Sequence, residues 1–135
     1  MNIKILKIAA VTIFAMVLAA LFWNNGGVDM ASGMQTRRIS AAEARKLMQN
    51  NPSAIILDVR TEREFATGRI PGAILLPDTD VKYNASKVLP IKNAMILVYC
   101  RSGIRSSSAA ALLVSMGYTN VYDFGGIMSW PYEVE

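Results

Sequence analysis

Residues 94–99, Ala-Met-Ile-Leu-Val-Tyr, form an unbroken apolar run that leads straight into Cys100. A second such run, residues 54–59, ends in Asp58-Val59-Arg60. A half-exposed strand would alternate apolar and polar residues, whereas a continuous run of strand length has no polar face to offer water. Both runs therefore read as strands covered on both faces. A chain with such strands needs helices above and below them, and the intervening segments supply the helices.

Ser40-Ala41-Ala42-Glu43 is a capping box, a hydroxyl followed three residues later by a carboxylate, and opens a helix. That helix is expected to run to about Asn50, to bury Ala44, Leu47 and Met48, and to stop at Asn51-Pro52. Thr61-Glu62-Arg63-Glu64 is a second capping box, opening a short helix that ends near Gly68. Residues 73–76 read as a brief strand before Pro77. In residues 78–93, Val81, Val88 and Leu89 indicate a short helix closed by Pro90. After Cys100 a helix is predicted from about Ile104 to Met116, with Ala109, Leu112, Leu113 and Met116 on one face and Gly117 ending it. Val121-Tyr122 is a last short strand before Gly125-Gly126. Strands alternating with helices predict an α/β fold: an open parallel β-sheet, helices on both faces, right-handed crossovers.

This pattern occupies residues 36–135. Ahead of it, residues 8–23 carry no charge and only Thr12 is polar, while Lys4 and Lys7 precede the run. A basic stretch followed by an apolar one reads as an export signal or a retained membrane anchor, assigned to residues 1–23. Retention would place the N-terminus in the cytoplasm. Either reading puts the domain outside the cytoplasm, periplasmic or anchored facing outward, with membrane contact only through residues 4–23 if they stay uncleaved. Residues 24–35, rich in Gly, Asn, Ser and Met, read as a linker.

The chain has no histidine and one cysteine, Cys100. That excludes Ser-His-Asp and Cys-His catalysis, a His-based zinc site and an intramolecular disulfide, so no metal is expected. The formal charge of +4 is far from the dense basic surface of a nucleic-acid binder. The chemistry concentrates where the strand of residues 94–99 meets the next helix, the end at which open α/β sheets bind ligands. There Cys100 is followed by Arg101, Ser102, Gly103, Ile104, Arg105 and the serines Ser106 to Ser108. Backbone N–H groups at a helix start attract anions. Gly103 permits angles that let them converge, and Arg101 and Arg105 add positive charge. The same field lowers a thiol pKa. Without histidine, dipoles and arginine are the main route left for activating a sulfur nucleophile. The bland alternative, a buried inert thiol, fits poorly with two arginines and four serines around a glycine.

Three stretches resemble the rhodanese, or sulfurtransferase, domain: Leu57-Asp58-Val59-Arg60 with Glu64-Phe65; Gly68-Arg69-Ile70-Pro71-Gly72-Ala73; and Cys100-Arg101-Ser102-Gly103-Ile104-Arg105-Ser106. The Gly125-Gly126 to Trp130 ending fits as well, and the single-domain exported form is similar to small periplasmic thiosulfate sulfurtransferases. The resemblance implies that Cys100 takes a sulfane sulfur from a small anionic donor such as thiosulfate. The resulting persulfide, with no other cofactor, passes its sulfur to a thiophilic acceptor, cyanide or a thiol, which includes a thiol protein. It implies that the loop from Arg101 to Arg105 cradles donor and persulfide. Asp58 and Arg60 would support the site by salt bridging and loop positioning, or form a structural ion pair only. Glu64 and Trp130 read as structural. Arg69 stands where the family usually has histidine; it either draws anions toward the site or sits on the surface.

The related phosphatases and arsenate reductases have one more residue between Cys and Arg; here four residues separate Cys100 from Arg105, which favours sulfur over phosphorus. Two other readings stay open, a persulfide carrier or redox-sensing module acting on a partner protein and an arsenate- or phosphate-ester enzyme.

Overall fold

A computed structural model describes residues 35–135. The expected export segment, and the expected linker up to residue 34, lie outside the described residues. The elements run β1 (Arg37–Arg38), α1 (Ala41–Asn50), β2 (Ile55–Asp58), α2 (Glu62–Ala66), β3 (Ile74–Leu75), α3 (Val81–Val88), β4 (Ile96–Cys100), α4 (Ile104–Ser115) and β5 (Val121–Gly126), followed by a 3-10 turn at Ile127–Ser129. All strand pairs are parallel and the order is β1-β5-β4-β2-β3, so β4 lies at the centre of the sheet. Among the described residues no helix is long and apolar enough to cross a membrane.

Both capping boxes form. Ser40 and Glu43 exchange hydrogen bonds at the start of α1, the Ser40 N–H donating to Glu43 Oε2 at 2.7 Å and the Glu43 N–H to Ser40 Oγ at 3.2 Å. Thr61 and Glu64 repeat the exchange at α2, at 3.0 and 3.2 Å. Every residue of β4 is buried, as the unbroken apolar run requires. Alternate residues of β4 serve two cores. Ile96, Val98 and Cys100 pack with Val81 and Ala85 of α3 and with Ala109, Ala110 and Leu113 of α4. Leu97 and Tyr99 face the other way, toward Ala44 of α1, Ile70, Phe124 and Trp130. Tyr99, Phe124, Trp130 and Tyr132 stack in sequence with ring centroids 4.9–5.5 Å apart. Helices therefore cover both faces, as expected. In α1 only Ala44 is buried; Leu47 and Met48 are packed against the core but half-exposed.

Two elements depart from expectation. The domain begins with a strand, β1, made of two exposed arginines. Its backbone pairs with Tyr122 and Asp123 of β5, while the Arg37 guanidinium donates to the Tyr122 hydroxyl at 2.8 Å and Arg38 pairs with Asp123 at 3.0 Å. Side-chain propensity does not announce such a strand; its partners, more than eighty residues away, create it. Strand β5 runs four residues past Tyr122, because a bulge sits in it: Val98 is level with Asp123 but Cys100 with Gly126. The bulge swings Gly125-Gly126 under the Cys100 loop. A Cβ on Gly126 would collide with the carbonyl of Arg101, so only glycine lets the two backbones approach.

Leu113 is fully buried between α4 and the sheet. Leu113→Ala is expected to cost about 2–5 kcal/mol in denaturant unfolding. Ile104→Ala, at a side chain 78% exposed, is expected to stay within about 0.5 kcal/mol of wild type.

Candidate active site

Strand β4 delivers Cys100 to the carboxyl edge of the sheet, and residues 101–103 turn the chain directly into α4. The turn depends on Gly103, the residue before the helix, which takes φ +103°. In that geometry the Gly103 N–H points back at the sulfur and donates to Cys100 Sγ at 3.0 Å. Burial pushes the Cys100 thiol up. Opposing it are the N–H groups of Ser106, Gly103 and Ser102. They prevail, and the thiol is held below its ordinary value. The first N–H groups of a helix have no partner within it. Here they face a thiol rather than water. Cys100 itself is wholly buried; Arg101, Ser102 and Ile104 form the exposed rim above it. An open cleft of about 630 Å³ beside Thr61, Pro77 and Asp80 includes none of the cradle residues.

The two arginines of the loop fare differently. The Arg101 side chain is exposed and forms no ion pair among the described residues. Arg105 does not present the full free charge expected of it. Its Nη1 and Nη2 donate to the two carboxylate oxygens of Glu64, each at 2.8 Å. This bidentate bond holds the Glu64 carboxyl well below the usual carboxylate range and raises Arg105, so both remain charged. Glu64 thus caps α2 and anchors the loop at once. Its cap was legible in the sequence; its bond to Arg105 was not, because the two lie forty-one positions apart on different motifs.

Asp58 and Arg60 form a buried pair at the end of β2. Arg60 Nη2 donates to Asp58 Oδ2 at 2.6 Å, and Asp58 Oδ1 also accepts from the Arg60 N–H at 2.9 Å. Arg60 Nη2 reaches the Gly68 carbonyl at 2.7 Å, fixing the loop before Ile70. The Ile70 N–H in turn donates to the Tyr99 hydroxyl at 3.1 Å. The pair therefore braces the neighbouring loop and the residue before Cys100; among the described residues it makes no hydrogen bond to residues 100–106. Arg69 exchanges backbone hydrogen bonds with Glu135 at 2.9 Å and meets its carboxylate at 3.3 Å.

One participant escaped sequence reasoning altogether. Asp123, 1% exposed, accepts from the Ser106 hydroxyl at 2.7 Å, from the Gly125 N–H at 3.0 Å and from Arg38 at 3.0 Å. An isolated aspartate in an apolar strand carries a weak signal: it needs partners there, but nothing in the sequence names them.

Gly126→Ala is expected to lower the melting temperature and to distort the loop, at a cost of about 1–3 kcal/mol. For Glu64→Gln the expected effect depends on pH. The folded Glu64 carboxyl lies below its unfolded value of 4.5, so the ion pair stabilises the fold fully above that pH and less as pH falls. Wild type should exceed the variant in stability at neutral pH. In urea titrations the gap should narrow as pH drops below 4.5.

Comparison with known proteins agrees with this geometry. The model of the rhodanese-like domain family matches residues 40–132. A sulfurtransferase of Allochromatium vinosum is 33% identical over 93 residues, covering 68% of this chain and 85% of that protein. The thiosulfate sulfurtransferase PspE of Escherichia coli is 37% identical over 71 residues, 53% of this chain and 68% of its own. A solved structure described as a rhodanese with anions from E. coli superposes with a TM-score of 0.57 at 32% identity, covering 61% of this chain and 96% of that one. With a family model matched from the first capping box to the end of the aromatic stack, and with Cys100 at the carboxyl edge of a five-stranded parallel sheet, the chain belongs to the rhodanese-like domain family.

Proposed function

We propose that the protein is a sulfurtransferase that moves a sulfane sulfur from thiosulfate, or a similar small anionic donor, to cyanide or a thiol through a persulfide on Cys100. The observation that carries the reading is the Gly103 N–H donating to a buried sulfur at the start of α4, a geometry that favours a thiolate. The named activities of the relatives from A. vinosum and E. coli point the same way.

The chemistry needs no histidine. The Cys100 thiolate attacks the outer sulfur of thiosulfate and forms a new S–S bond. The donor's S–S bond breaks and sulfite departs with its electron pair. The acceptor then attacks the outer sulfur of the persulfide. Cyanide leaves as thiocyanate and the electron pair returns to Cys100 as thiolate. With thiosulfate as donor and cyanide ion or an already ionised thiolate as acceptor, neither step transfers a proton, so the absent general base costs nothing. Negative charge gathers on sulfur throughout. The inward N–H groups of residues 102, 103 and 106 face it. Exposed Arg101 draws the donor in; Arg105, already held by Glu64, shapes the loop and adds little net charge. Asp58 and Arg60 brace the adjacent loop. The basic and apolar N-terminal segment supports placing this reaction outside the cytoplasm.

Incubated with thiosulfate, the full chain should gain the mass of one sulfur atom, lose it on adding cyanide, and release thiocyanate. Cys100→Ser should abolish both changes. Arg101→Ala should raise the KM for thiosulfate about tenfold, matching loss of one charge-assisted contact of about 1.5 kcal/mol. A wild-type chain that stays unmodified by thiosulfate and every other sulfane donor overturns the reading. Turnover of an aryl phosphate instead would select ester hydrolysis.

A further inference from the structure

The Ser106 hydroxyl stands at a crossing. It lies 2.7 Å from Asp123 Oδ1, with the carbonyl of Gly125 at 3.2 Å and at 3.1 Å that of Gly103, the residue whose N–H donates to Cys100 Sγ. A hydroxyl has one proton to donate. Of these three oxygens the Asp123 carboxylate offers the shortest contact and the strongest acceptor. Asp123 is itself buried and meets the loop through Ser106, whose N–H faces the sulfur, so its carboxylate brings a like charge toward a sulfur anion. Arg38 answers it. From β1 its Nη1 pairs with Asp123 Oδ2, and a Cβ on Gly103 would lie 3.3 Å from its Nη2, so the guanidinium rests against the back of the loop.

We propose that Asp123 and Arg38 are the positioning pair of this site. Asp123 claims the hydroxyl proton of Ser106, Arg38 cancels the charge of Asp123, and the Cys100 sulfur is left to the backbone N–H groups of its own loop. The pair governs how readily Cys100 becomes a thiolate without touching any substrate. The other charged groups around the loop are accounted for. Arg105 is neutralised by Glu64, and Asp78 acts on Arg105 through space. Arg101 points to solvent. Asp58 and Arg60 neutralise each other at the end of β2.

The inference rests on Cys100 being the reacting thiol, as the proposed sulfur transfer requires, but its test uses no sulfur donor. The full chain is alkylated with iodoacetamide across a pH series and the midpoint of the rate is read. Asp123→Asn removes the like charge while keeping Oδ1 as the acceptor for Ser106 and Gly125, so the midpoint should fall by about one unit, a roughly tenfold faster reaction at pH values below it. Arg38→Gln leaves Asp123 uncompensated, so the midpoint should rise, and Arg38→Lys should restore it. A purely structural role would not move the two variants in opposite directions. An unchanged or raised midpoint in folded Asp123→Asn overturns the proposal. Should Asp123→Asn fail to fold, Arg38→Gln decides: a raised midpoint supports the pair and an unchanged or lowered one overturns it. A chain that alkylates as expected yet never takes sulfur from thiosulfate would count against the proposed transfer and leave this pair standing.

Discussion

A sulfur atom surrounded by inward-pointing N–H groups sets the terms for the rest of this domain. The Gly103 N–H reaches Cys100 Sγ only because the chain reverses within three residues and enters a helix at once. That reversal needs a strand that stops at the cysteine, a glycine at φ +103°, and a neighbouring backbone willing to come close beneath it. The bulge in β5 meets the last need by carrying Gly126 to the Arg101 carbonyl. The continuous apolar run of β4 meets the first, since a strand buried on both faces cannot shift its register without losing two cores.

Charge is handled by pairing rather than accumulation. Arg105 with Glu64, Arg60 with Asp58 and Arg38 with Asp123 each set an arginine against one acid near the carboxyl edge of the sheet. All three pairs also hold backbone: Glu64 takes the Thr61 N–H, Arg60 the Gly68 carbonyl and Asp123 the Gly125 N–H. No buried side-chain nitrogen or oxygen among the described residues lacks a partner. The loop is thus braced from three elements while its net field stays modest, which leaves the backbone N–H groups as the principal source of positive potential at the sulfur.

Local pattern made much of this legible. Both capping boxes, the wholly buried β4, the half-buried β2, the helix after Cys100 and the thiol at its start follow from short-range rules about periodicity and caps, and these rules act within a few residues. What stayed hidden depends on residues far apart in sequence. Strand β1 exists only against β5, and its two arginines have no strand character of their own. The Glu64–Arg105 bond joins two motifs that each looked complete. Asp123 read as one more residue of a short strand, because a single aspartate does not reveal which hydroxyl or guanidinium will meet it. Residues 78–93 resolved into α3 once Val81 and Ala85 found the core beside α4.

The complete burial of Cys100 has a consequence for traffic through the site. A thiol with no exposed surface is shielded from large reagents, which meet the exposed residues Arg101, Ser102 and Ile104 of its loop first. Under the proposed sulfur transfer, the empty site would select slender donors, whereas a loaded one would carry its sulfur outward. In that chemistry, burial of the protein sulfur and accessibility of the transferred atom would be two results of a single depth.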